Sequence, residues 1–153
     1  MRISSVKANN HKHAFEVTIE RGVLAFPYAK AVPAPSAENP VADVHVDEEC
    51  EGRGFVYTLA DGHEGFVHVE QVLEYNRDPD YMRDMLVVRL TLEARERLGE
   101  SPLSRREIIR RLGTSPAQFY RLLDPSNYNK SIDAMLSLFH ALDCDVDVLI
   151  RPN

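Results

Sequence analysis

Between Arg105 and Lys130 six basic residues stand against two acidic ones, Glu107 and Asp124, whereas residues 1–78 hold seven basic and thirteen acidic. The whole chain carries a formal charge of −6, so this positive cluster is a local placement and not a property of the composition. Guanidinium groups suit two kinds of partner, phosphate oxygens and the O6/N7 edge of guanine, both of which they meet with paired N–H donors. A surface follows its local charge, so an acidic chain can still present a cationic patch to a polyanion. The chemistry on offer at Arg105, Arg106, Arg121 and Lys130 is therefore nucleic-acid contact. The competing reading is an ordinary solvated arginine face.

Such contacts need rigid elements to aim them. Ser104 precedes "RREIIRRL" with Glu107 three residues on, the signature of a capping box at a helix N-terminus. Gly113 stands where a left-handed residue closes a helix, and Ser115-Pro116 opens the next one. A helix, a short turn and a second helix follow directly, with Ile108, Leu112, Phe119 and Leu122 supplying the apolar faces that lock the pair together. With about 100° per residue and Phe119 pointing inward, Ala117, Arg121 and Asp124 project within about 40° of the opposite side, flanked by Gln118 and Tyr120. That outward face is small, polar, aromatic and cationic.

These residues resemble the Cro/C1-type (lambda-repressor-like) helix-turn-helix. The likeness runs from roughly Val87 to Asp147, through "IIRRLGTSPAQFYRLLD" and "KSIDAMLSLFHALDCDVDV". It implies that Ser115, Pro116, Ala117, Tyr120 and Arg121 meet double-stranded DNA and that Arg105 touches a backbone phosphate; Thr114 and Gln118, beside them in the turn and on the flank of the second helix, are candidates for the same contact. Two departures matter: Ile109 stands where a small residue is usual, which implies a looser helix crossing, and Pro116 replaces a frequent amide side chain. The N-terminal "FEVTIERGVLAFPYAK" and "ADGHEGFVHVEQVLEYN" resemble the bacterial domain-of-unknown-function family 2442, which implies a β-rich fold and no particular activity.

Other chemistry is less well supported by spacing. His11 and His13 share a strand face if the segment is extended, and His45, His63 and His68 lie in or beside strands, but no recognised ligand spacing joins them and no metal or other cofactor is assigned. Asp47, Glu48, Glu49 and Glu51 crowd Cys50, yet crowded carboxylates in a loop are normally solvated and no phosphate loop or nucleophile elbow accompanies them. No enzyme is expected. Cys50 and Cys144 lie far apart in sequence and suit free thiols in a reducing cytoplasm. The N-terminus lacks an apolar core of leader length, and the longest aliphatic run is "MLVV", so neither export nor a membrane span is expected.

The organisation changes near residue 78. Before it, Phe15, Val17 and Ile19 alternate with Glu16, Thr18 and Glu20, the period of a half-buried strand. Strands are also read at residues 23–28, 41–47, 54–60 and 64–69, with Asp61-Gly62 as a hairpin turn, a proline-rich loop at 31–40 and a short helix at 70–75. This predicts an α+β chain: a β-rich domain over 1–77, made of about five strands, then a helical domain over 78–153. Asp78-Pro79 opens a long helix ending near Gly99, with Tyr81, Met85, Val88 and Leu92 on its apolar face, and Ser131 caps a last helix.

Two function classes fit: a DNA-binding regulator whose β-rich domain meets a partner or mediates assembly, and an antitoxin-like adaptor whose main activity is protein binding. A homodimer is expected for the first, because one helix-turn-helix buries too little surface to select a single site. The alternating "CDVDVLIRP" predicts a strand at 146–150 that pairs with a second subunit or docks on the N-terminal sheet, with Met85, Val88 and Leu92 adding apolar contact.

Overall fold

The computed structural model describes residues 1–152 and is an α+β protein made of two compact units, Met1–Met82 and the chain from Arg83 onward. The first unit holds two antiparallel three-stranded meanders: β1 (Ile3–Asn9), β2 (Ala14–Ile19) and β3 (Gly22–Pro27), then β4 (Val41–Val46), β5 (Gly54–Leu59) and β6 (Glu64–His68). The middle strand of each meander alternates as its sequence demands. Phe15, Val17 and Ile19 of β2 are buried, as are Phe55, Tyr57 and Leu59 of β5. The two sheets share one core, in which the Phe15 ring lies 4.9 Å from Phe55 and 5.0 Å from Tyr57. Ile3 N–H donates to Gly52 O at 2.8 Å and ties the first strand to the β4–β5 loop.

Six strands therefore replace the five expected, and the addition is β1. Its sequence, "ISSVKAN", buries only Ile3, so it lacks the alternation that marks β2. Hydrogen bonding to β2, with Val6 opposite Val17, is what makes it a strand. Helix α1 (Val69–Tyr75) follows β6 without a loop: His68 Nδ1 accepts from Glu70 N–H at 3.2 Å while Gln71 Oε1 accepts from His68 N–H at 2.8 Å. His68 is a helix cap. His11 and His13 lie in the β1–β2 turn and not on a strand face, with His13 at φ 51°.

Helix α2 (Pro79–Glu100) starts where the proline predicts, with Asp78 Oδ1 accepting from Tyr81 N–H at 3.0 Å and Arg21 bridging Asp78 and Asp80. Its fully buried residues are Val87, Thr91 and Ala94, whereas Leu92 of the expected apolar face is half exposed. The helix is apolar at 85–88, 90 and 92, nearly all round, so its sequence did not single out one face. Three more helices complete the second unit: α3 (Arg105–Leu112), α4 (Pro116–Leu122) and α5 (Ile132–Ala141). Each opens on a serine whose hydroxyl accepts a backbone N–H: Ser104 from Glu107 at 3.1 Å, Ser115 from Gln118 at 3.2 Å and Ser131 from Ala134 at 3.1 Å. Only half of the expected capping box forms at Ser104. The Glu107 carboxylate turns to Arg110 and Arg111 instead.

Gly113 closes α3 at φ 69°, ψ 33°, its N–H donating to Ile109 O at 3.0 Å. An L-residue there costs about 1–2 kcal/mol in the left-handed region. Gly113→Ala is accordingly expected to lower the unfolding free energy by that amount, seen as a lower urea midpoint at unchanged slope, with Gly113→Asn recovering part of the loss because asparagine tolerates this conformation. An unchanged midpoint for the alanine variant would show that the turn relaxes freely.

Residues 144–152 form no helix and join neither sheet, so the strand expected at 146–150 is absent from the single chain. Alternating side chains favour a strand only when a neighbouring strand accepts its backbone hydrogen bonds. No helix among the described residues is long and apolar enough to cross a membrane.

Candidate nucleic-acid interface

The α3–α4 turn spans Gly113, Thr114 and Ser115, and Pro116 supplies a first helical residue with no N–H to leave unsatisfied. Phe119 and Leu122 turn into the core with Ile108, Met135 and Leu138. Ser115, Pro116, Ala117, Gln118, Tyr120 and Arg121 are exposed and Thr114 is half-buried, so the turn and α4 present these seven residues to solvent around the buried Phe119 and Leu122. Tyr120 is 49% exposed, its ring edge-on to Phe119 at 5.3 Å and beneath the Arg105 guanidinium at 5.8 Å. That stacking holds Arg105 over the side of α4 without neutralising it.

Charge pairing divides the arginines of α3 and α4 into two groups. Arg110 is held by Glu107 at 2.5 Å, and its hydrogen bond there raises the guanidinium's pKa while lowering that of the carboxyl. Arg111 lies 3.0 Å from Asp143 and 3.4 Å from Glu107. Among the described residues Arg105, Arg106 and Arg121 make no ion pair. No carboxylate of the described residues lies within 4 Å of these three guanidiniums. Arg110 and Arg111, which look equivalent to them in sequence, brace the helix instead.

One further arginine escaped the sequence reading. Arg95 of α2 lines, with Arg105, Tyr120 and Asp124, a cleft of about 450 Å³, and among the described residues it too makes no ion pair within 4 Å. Asp124 is the acidic wall of this cleft. Ser126, through its hydroxyl and N–H, holds the carboxyl below its usual pKa, and the charges of Lys130 and Arg95 act in the same direction. Arg95 sits on a helix flank beside the buried Ala94, a pattern that many solvated arginines share.

Lys130 is the clear correction. Expected at a phosphate, its side chain is only 5% exposed, and Nζ donates to Thr91 Oγ1 at 2.6 Å, Leu122 O at 2.8 Å and Asp124 O at 2.9 Å. Three ammonium protons meet three oxygens, leaving none for DNA. Two of those oxygens are at the C-terminal end of α4, where helix carbonyls lack intrahelical donors and the dipole favours a cation. Burial lowers the Lys130 pKa, partly offset by the Asp124 charge. Thr91 passes the link on by donating to Val87 O at 2.7 Å, and Arg83 donates to the carbonyls of Tyr128 and Lys130 at 3.1 and 2.9 Å.

The remaining chemistry-bearing residues are dispersed. Among the described residues no group of three His, Cys, Asp or Glu side chains is placed to hold a metal. His45 and His63 each face a neighbouring aspartate at 3.0 Å. Cys50 is an exposed free thiol whose pKa is raised, first by its hydrogen bond with Asp47 and further by the charges of Asp47 and Glu49, which is the opposite of an activated nucleophile. The carboxylates around it shape a loop, Asp47 Oδ1 accepting from Glu49 N–H at 3.0 Å.

No family model, curated protein or solved structure matches this chain.

Proposed function

We propose that this chain is a DNA-binding protein, a transcriptional regulator in the cytoplasm that reads double-stranded DNA with α4 and acts as a homodimer rather than as an enzyme. The observation that carries this reading is the coincidence of two facts: α4 exposes Ala117, Gln118, Tyr120 and Arg121, and among the described residues Arg105, Arg106 and Arg121 are the α3–α4 arginines without an ion pair. Short polar and cationic side chains on a helix flanked by free guanidiniums suit base edges and phosphates respectively. The β-rich unit is assigned partner binding or assembly.

Capture of genomic DNA on the tagged chain, followed by binding to the enriched sequence, tests the reading. Arg121→Ala is expected to weaken that binding by about 1–3 kcal/mol while leaving the melting temperature nearly unchanged. Arg110→Ala, which removes an arginine already committed to Glu107, is expected to have a much smaller effect on binding. Equal affinities for the Arg121 variant and the parent would remove Arg121 from the interface.

Salt dependence gives a second measurement. With Lys130 withdrawn from the phosphate set, Arg105 and Arg106 in each of two subunits make four contacts, and the log–log slope of affinity against salt is expected near about −4. A slope near zero would transfer the function to the adaptor reading. That reading has an observation of its own in the first unit, where Val23, Val32 and Phe66 are exposed apolar side chains suited to a protein partner.

A further inference from the structure

The segment after α5 leaves the second unit from a fixed root. Asp143 adopts a left-handed φ of 57° and its carboxylate lies 3.0 Å from Arg111, while Cys144 N–H donates back to Phe139 O at 2.9 Å. Beyond this anchor residues 145–152 belong to no sheet, and Val148, Leu149 and Ile150 are 84%, 78% and 88% exposed. Three adjacent bulky aliphatic residues at near-full exposure leave apolar surface and backbone hydrogen-bonding groups open to a partner.

We propose that Asp145–Arg151 is the homodimer element and pairs antiparallel with the same segment of a second copy, centred on Val148. The proposal rests on the homodimer part of the function above, and not on DNA binding. A two-fold axis through Val148 sets Val146 opposite Ile150 of the second copy, Asp147 opposite Leu149, and Asp145 opposite Arg151. Opposed residues share a face, so Val146, Val148 and Ile150 from both strands form one apolar face, and the ribbon gains two opposite-charge pairs at its ends. Charge pairing and the missing N–H of Pro152 together select the register. Centring on Asp147 would oppose that residue to itself. Centring on Leu149 would pair Asp147 with Arg151 but would set Val146 against Pro152, which has no N–H to donate.

A two-stranded ribbon is marginal alone and needs a surface beneath its apolar face. The helix that runs into the segment provides apolar side chains for this: α5 exposes Ile132 (36%) and Leu136 (43%) one turn apart, and Leu136 with Leu112 lines a cleft of about 640 Å³ that ends at Asp143. Ile132 and Leu136 match the ribbon's apolar face, and the polar Arg111, Ser137 and His140 share the cleft's lining.

Sedimentation of the full chain over a dilution series tests the register by charge exchange. The parent is expected to dimerise, D145R and R151D each to raise the dissociation constant about fivefold to tenfold by facing like charges across the ribbon, and D145R/R151D to return it to within about threefold of the parent. Far-UV circular dichroism establishes that each variant is folded. A parent that stays monomeric, single variants that dimerise unchanged, or a double variant that is not rescued would each overturn the proposal. The last outcome, joined to rescue by D147R/R151D, would assign the register centred on Leu149. Parallel DNA titration keeps the two readings apart, since a chain that dimerises in this register and ignores DNA retains the dimer element and loses the regulator function.

Discussion

Lys130→Met is expected to lower the stability of the helical unit by about 2–4 kcal/mol, although methionine nearly matches the lysine in length and apolar volume. The ammonium satisfies Thr91 Oγ1, Leu122 O and Asp124 O at 2.6, 2.8 and 2.9 Å in a position only 5% exposed. Removing it leaves buried acceptors without a donor, each worth about 1–3 kcal/mol, and the release of a desolvated charge offsets only part of that loss. Urea unfolding followed by circular dichroism measures the difference. A variant within about 0.5 kcal/mol of the parent would mean that water replaces the ammonium without penalty. Because the cation sits at the C-terminal end of α4, the variant should also bind the selected DNA more weakly under conditions where it remains folded.

Phe119→Ala is expected to cost about 3–5 kcal/mol, the range for deleting a buried aromatic ring from a packed core. Phe119 is fully buried within the cluster that joins α2, α3, α4 and α5 through Ala94, Ile108, Met135 and Leu138. Its neighbour Tyr120 is half exposed, so Tyr120→Ala should change the urea midpoint far less and act on DNA affinity instead. The pair of substitutions tests which way α4 faces. If Tyr120→Ala proved the more destabilising, the assigned inward and outward sides of the helix would have to be exchanged.

The same division between inward and outward roles governs the arginines. Arg106 and Arg110 are both exposed on α3, but Glu107 reaches only the second, three residues ahead on the same helix. The Glu107–Arg110 pair is an i,i+3 contact within one helix, whereas the capture of Arg111 by Asp143 required the end of α5 to come back beside α3.

Local chemistry was sufficient for most of the architecture. The serines at 104, 115 and 131, the proline at 79 and Gly113 punctuate the helices in sequence because capping and left-handed geometry depend on a few adjacent residues. The alternation in β2 was equally plain, since it is the central strand of its sheet and buries one face. The exposed set on α4 follows from helical periodicity once Phe119 is inward. Tertiary structure alone decided three other matters. It made "ISSVKAN" a strand by pairing it with β2, chose Val87, Thr91 and Ala94 as the buried side of an α2 that is apolar nearly all round, and drew Lys130 into the core. Each depends on a partner distant in sequence. For Lys130 that partner set is Thr91 from α2 and two carbonyls around the end of α4, so a lysine that reads as a solvent-facing cation becomes a buried donor only when the helices have met.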